Sequence, residues 1–196
     1  MNFSDLVTEV GTITGRPDRV AEIESAIKSA TLKAHNSDYF YKDIFETGIA
    51  FTTSDFYQQL DYRALIPRYR AVKYLRKWDN VNSNPGLVLT LIAPENILDR
   101  YNAEKSDVYY IAGAFIQIKS STSQQYYLFG CYLNPDVTKA NYTSWIAQDH
   151  PYAIVFDAAA TVFKAIGKDD EATNFRKLVD EQLQMIKISN ILPNGY

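Results

Sequence analysis

A chain of 196 residues with a formal net charge of −3, 46% hydrophobic and 22% charged, can bury a sizeable core unaided and has no global signature of nucleic-acid or anionic-membrane binding. Its single cysteine, Cys131, excludes an internal disulfide and any structural zinc site needing two thiolates from one chain. No run approaches the ~20 apolar residues of a membrane span, and the opening residues, with Asp5 and Glu9, lack a leader's basic and apolar regions; the expected compartment is the cytosol or a particle assembled there.

Ser4 can cap a helix running to about Thr14, with Leu6, Val10 and Ile13 on one face and Gly15 as a left-handed terminator. Pro17 sits where a first helical residue belongs, and Val20, Ile23, Ile27, Ala30, Thr31 and Ala34 continue at helical spacing to about Asn36. From 39 to 136 the pattern changes to strands: 43–52, 56–62, 68–78, 87–92, 107–112, 114–120 and 125–133. Asn82-Ser83-Asn84-Pro85-Gly86 reads as a loop, Gly113 as a tight turn or bulge, and Pro94 as the start of a short helix bearing Ile97, Leu98 and Tyr101.

After Asn134-Pro135-Asp136 the helical period returns. Trp145 and Ile146 lie in a short piece interrupted by Pro151; Tyr152, Val155, Phe156, Ala159, Val162, Phe163 and Ile166 form the next stripe, closed by Gly167. Asp169 or Asp170 starts the last helix, whose expected apolar face is Phe175, Leu178, Val179, Leu183 and Ile186. The expected fold class is α+β: one domain over 1–196, with the terminal helical parts 1–36 and 144–188 packed together, a β-rich insertion over 39–136 and a tail over 188–196. In that tail Ile188, Ile191, Leu192 and Tyr196 are apolar where a frayed end should be polar, which marks them as a candidate docking segment.

Catalytic signatures are missing: no G-x-S-x-G, Walker loop, G-x-G-x-x-G or H-E-x-x-H occurs, so no catalytic, cofactor or metal residues are assigned. His35 reads as a helix-end residue and His150 as a surface residue; Glu95 and Asp99, four apart, read as an exposed helix face. Cys131 reads as a buried, inert thiol. Two features point to surfaces. Fifteen tyrosines and ten phenylalanines suit protein interfaces, although tyrosine also favours strands. Arg68, Arg70, Lys73, Arg76 and Lys77, interleaved with Tyr69 and Tyr74, form a basic strip that can follow a phosphate backbone or remain a solvated strand. Simple alternation puts Arg68, Arg70 and Arg76 on one face and Lys73 and Lys77 on the other.

Ser144-Trp145-Ile146-Ala147, the run Tyr152 to Ala160, and Phe163 to Gly167 resemble the closing helices of head-to-tail adaptor (connector) proteins of tailed bacteriophages. Asp5-Leu6-Val7, Gly15-Arg16-Pro17-Asp18 and Ala21 to Asn36 resemble their opening helix pair, and Asp107 to Gly113 with Ile116-Gln117-Ile118 is similar to a β segment of some members. The resemblance implies a non-enzymatic virion protein, assembled in the host cytoplasm. It implies a homo-oligomeric ring, dodecameric by the family's pattern, between portal protein and tail proteins. Such a ring seals the head, presents a tail-docking surface and surrounds channel DNA without sequence specificity. It also implies C-terminal contact with the portal, and no cofactor or membrane. The alternatives are another head-completion or tail-terminator role, a small cytosolic enzyme using Glu95, Asp99 or His150, and a nucleic-acid-binding module on the basic strand.

Overall fold

A stripe of apolar residues at helical spacing must find a second stripe to cover it, and here the two ends of the chain supply each other's cover. The computed structural model describes residues 1–79, 84–98 and 103–191, the side chains of 190 and 191 excepted. The chain divides into two compact units, a helical one (1–43 with 134–196) and a β unit (44–133).

In the helical unit α1 (Phe3–Thr14) and α2 (Val20–His35) pack against α5 (Pro151–Ala165). The short α4 (Trp145–Asp149) precedes α5, and α6 (Asp169–Ile191) folds back along it. Leu6, Val10, Ile23, Ile27, Ile154, Ala158 and Val162 fill the core. Gly15 and Gly167 take φ of 64° and 77°, the left-handed turn expected of them.

Several local expectations change. Asn2, not Ser4, caps α1, because its side chain accepts from Asp5 N while Asp5 returns a bond to Asn2 N. Helix α2 starts at Val20, three residues after Pro17. Leu178 is 38% exposed: the buried stripe of α6 runs through Ala172, Val179 and Ile186, and Leu178 lies about 100° round from Val179. Helix α6 also continues to Ile191, beyond where the apolar stripe ends.

Among the described residues the β unit holds two four-stranded sheets. The first has the order β1 (Ile44–Ala50), β8 (Tyr126–Leu133), β3 (Tyr69–Asp79), β4 (Asn84–Val88), antiparallel throughout. The second has the order β2 (Tyr57–Asp61), β7 (Phe115–Lys119), β6 (Val108–Ala112), β5 (Thr90–Leu91), with β5 parallel to β6. A one-turn helix, α3 (Tyr62–Leu65), follows β2. Leu75, Ile116, Tyr127, Phe129 and Cys131 are wholly buried, and Gly113 turns β6 into β7 with φ 62°.

Asn84-Pro85-Gly86 is strand, not loop. Pro85 is tolerated because β4 is an edge, and Gly86 suits the close approach to β3, since a Cβ there would stand 3.0 Å from Lys77 O. Pro94 opens only a three-residue 3-10 turn. Asn82 and Ser83 of the expected loop, and Asp99 and Tyr101, lie outside the described residues.

Candidate functional site

Side chains on a regular strand alternate between faces, but an extra residue in one strand reverses the alternation beyond it. Strand β3 carries two such bulges against β8, between Tyr69 and Ala71 and between Val72 and Tyr74. The register then pairs Val72, Leu75 and Lys77 with Cys131, Phe129 and Tyr127, the core-facing residues of β8. Ala71, Tyr74 and Arg76 pair with Tyr132, Gly130 and Leu128 on the outer face.

The basic strip is therefore re-sorted. Arg70 and Lys73 both lie over the Tyr132 ring, at 5.5 and 5.8 Å from its centroid, and Arg76 lies 5.0 Å from that of Tyr74. Lys73 thus joins Arg70 and Arg76 on one face, contrary to simple alternation. The Tyr74 ring covers Gly130, where a Cβ would stand 2.6 Å from its Cζ; only glycine leaves room for it. Lys77 points the other way and is bound: its Nζ is 2.7 Å from Asp107 Oδ1 and donates to Thr122 Oγ1 at 3.0 Å. It leaves the strip. Arg68 precedes β3 and is exposed. What remains is an outer face with Arg70, Lys73 and Arg76 cushioned on two tyrosines.

A second constellation, in the helical unit, had no sequence signal. His35 closes α2, the helix-end place expected of it, and is 2% exposed. Its Nδ1 lies 2.8 Å from Asp43 Oδ1 and its Nε2 2.9 Å from Ser144 Oγ. The carboxylate fixes the tautomer, since it can only accept from Nδ1–H. Asp43 Oδ1 also accepts from Trp145 Nε1 at 2.8 Å. The connectivity is that of a Ser-His-Asp triad, whose members lie 8 and 109 residues apart in the chain, and no local motif announces it. The serine, however, is 5% exposed, and its Oγ accepts from Ala147 N at 3.1 Å, capping α4. A nucleophile must reach a substrate; this one is tied into a helix cap. The network clasps the two strands of chain that lead into and out of the segment 44–133.

His150 lines an open cleft of about 360 Å³ with Tyr41, Lys42, Trp145, Asp149 and Ser189. Lys42 donates to Asp149 Oδ2 at 2.6 Å and lies 4.9 Å from the Trp145 ring centroid. That hydrogen bond raises the Lys42 pKa and lowers that of Asp149. Glu95 belongs to the β unit and His150 to the helical unit. Among the described residues no group of three His, Cys, Asp or Glu could hold a metal ion, and no helix is long and apolar enough to cross a membrane.

Cys131 is wholly buried, and burial pushes its thiol up to about 11. Of the docking residues, Ile188 sits on α6 and is 62% exposed; the Ile191 side chain, Leu192 and Tyr196 lie outside the described side chains. Sequence reasoning did not single out the exposed aliphatics Leu87, Val88, Leu91 and Met185, whose only signal is apolar character within uncharged or polar surroundings. No protein-family model matches the chain, and no curated protein matches it either.

Proposed function

We propose that this chain is a structural virion protein that assembles with copies of itself as a ring-forming head-to-tail connector between portal and tail. The observation that carries the reading is the set of large apolar side chains left in solvent on both units. Phe45, Phe56, Tyr57, Leu87, Val88 and Leu91 are exposed on the β unit, and Leu178, Met185 and Ile188 along α6. Scattered single exposures are ordinary, but rows on strand edges and along one helix are surfaces that bind protein. The resemblance to connectors supplies the kind of assembly, and a ring of identical subunits uses two different faces of each.

The α6 row is the surface offered to the portal. Met185→Glu with Ile188→Glu, both at exposed positions, leaves monomer folding unchanged and removes co-sedimentation with portal rings under this reading. Unchanged co-sedimentation would reject α6 as the docking surface.

A second reading is favoured by the sheet face with Arg70, Lys73 and Arg76. Residues 44–133 contain nine Lys and Arg against eight Asp and Glu, whereas the rest of the chain has eleven against fifteen. The β unit is therefore the part suited to face channel DNA, through charge and tyrosine stacking without base specificity.

A further inference from the structure

An open sheet edge is a row of unpaired N–H and C=O groups, and proteins that stay monomeric guard such rows with lysines, prolines or cover. Among the described residues the first sheet ends on two edge strands, β1 and β4. From Asn84 to Ala93 the chain carries no charged residue. This run forms β4 at the edge of one sheet and, after the buried Leu89, β5 at the edge of the other. Its Leu87 and Val88 are 57% and 46% exposed. Pro85 guards only one end of β4. The opposite edge, β1, has seven residues, no proline and no lysine, and leaves Phe45 and Glu46 exposed.

The strand directions make these two edges partners. β1 is antiparallel to β8, β8 to β3, and β3 to β4, so β4 runs opposite to β1. A second copy shifted sideways along the sheet, without turning over, presents its β1 antiparallel to the first copy's β4. The antiparallel alternation then continues across the boundary, and outer face meets outer face. The second sheet cannot do this as well: β5 has two residues and runs parallel to β6, so it would meet a neighbouring β2 as a parallel pair.

Side chains agree with the backbone. The register puts Glu46 of β1 and Arg76 of β3 on the same outer face, opposite Gly130 and Leu128 of β8. Arg76 Nε is buried and has no hydrogen-bond partner among the described residues. With a copy's β1 beside β4, its Glu46 and this Arg76 flank β4 at about 10 Å between backbones, which an arginine and a glutamate side chain span over Val88. On the inner face the same register puts the copy's Phe45 opposite Leu89 and diagonal to Leu87. We infer that β4 of one copy pairs antiparallel with β1 of a second copy, extending the first sheet from subunit to subunit, with Glu46 of one copy bound to Arg76 of the next. The inference rests on the self-assembly reading above and gives it a heterologous interface. Arg76 is then spent on the neighbour, which leaves Arg70 and Lys73 facing outward.

The test is sedimentation velocity of the full chain over a concentration range, for the wild type, Glu46→Arg, Arg76→Glu and the double variant, with circular dichroism to verify folding. The inference expects concentration-dependent association of the wild type, about tenfold or greater weakening in each single variant, and recovery in the double variant. Val88→Lys, at an exposed edge position, should weaken association without touching either charge. Association unaffected by the single variants and by Val88→Lys would overturn the edge pairing and leave the ring reading standing. A double variant no better than the singles would overturn the Glu46–Arg76 bond. A wild type monomeric at every concentration, both alone and with portal rings, would overturn the edge pairing together with the assembly on which it rests.

Discussion

Lys77 Nζ stands 2.7 Å from Asp107 Oδ1 in an ion pair that bridges the two sheets of the β unit, from β3 in one to the residue before β6 in the other. Lys77 is 12% and Asp107 22% exposed at the side chain, and Ser121 N donates a further bond to the carboxylate at 2.9 Å. Burial acts to raise the Asp107 pKa, but the Lys77 and Ser121 hydrogen bonds outweigh it and hold the carboxyl below its ordinary 3.8.

A carboxyl lowered in the folded state stabilises fully above its unfolded pKa, and the gain is lost as pH falls through the folded value. The β unit should therefore lose stability as pH drops below about 4, and Lys77→Met should flatten that dependence. Urea titrations at pH 7 and pH 3 provide the check. An equally steep loss in Lys77→Met would mean that other carboxylates dominate.

Cys131 offers a probe of the same unit. With its thiol pushed up to about 11 and no exposed surface, alkylation at pH 8 should proceed only as fast as the β unit opens. Labelling should be slow in buffer and fast in urea. Rapid labelling in buffer would place Cys131 on the surface.

The clasp around His35 should be costly to break. Asp43→Ala removes the acceptor for both the His35 ring and the Trp145 indole, which remain buried or half-buried. The expected loss is about 2–5 kcal/mol in urea unfolding of the helical unit. Ser144→Ala, which removes one cap bond and one partner of His35, should cost about 1–2 kcal/mol. A stabilised Asp43→Ala would contradict the clasp.

Core and surface along the last helix pair separate cleanly. Phe163, 5% exposed against Phe175, should cost about 3–5 kcal/mol on replacement by alanine. Leu178→Ala should cost less than about 1 kcal/mol, since Leu178 is 38% exposed.

The periodic features of the fold were legible in the sequence, because apolar spacing is set by the local backbone. Helices α1, α2, α5 and α6 and most strands fall within a few residues of where their patterns put them. What was not legible depends on pairing. The β3 bulges that bring Lys73 beside Arg70 and send Lys77 to Asp107 arise from register against β8, more than fifty residues away. The His35–Asp43–Ser144 row joins residues up to 109 apart, and each alone is an ordinary helix-end or turn residue. Asn84-Pro85-Gly86 carries loop chemistry, and only its place at a sheet edge makes it strand.

Assembly is read from mass. The intact chain, alone and mixed with portal rings, can be weighed by native mass spectrometry. The expected result is a closed species whose chain contribution is a whole multiple of 22.3 kDa, formed at least when portal is present. A 22.3 kDa species that neither self-associates nor joins the portal under any of these conditions would contradict it.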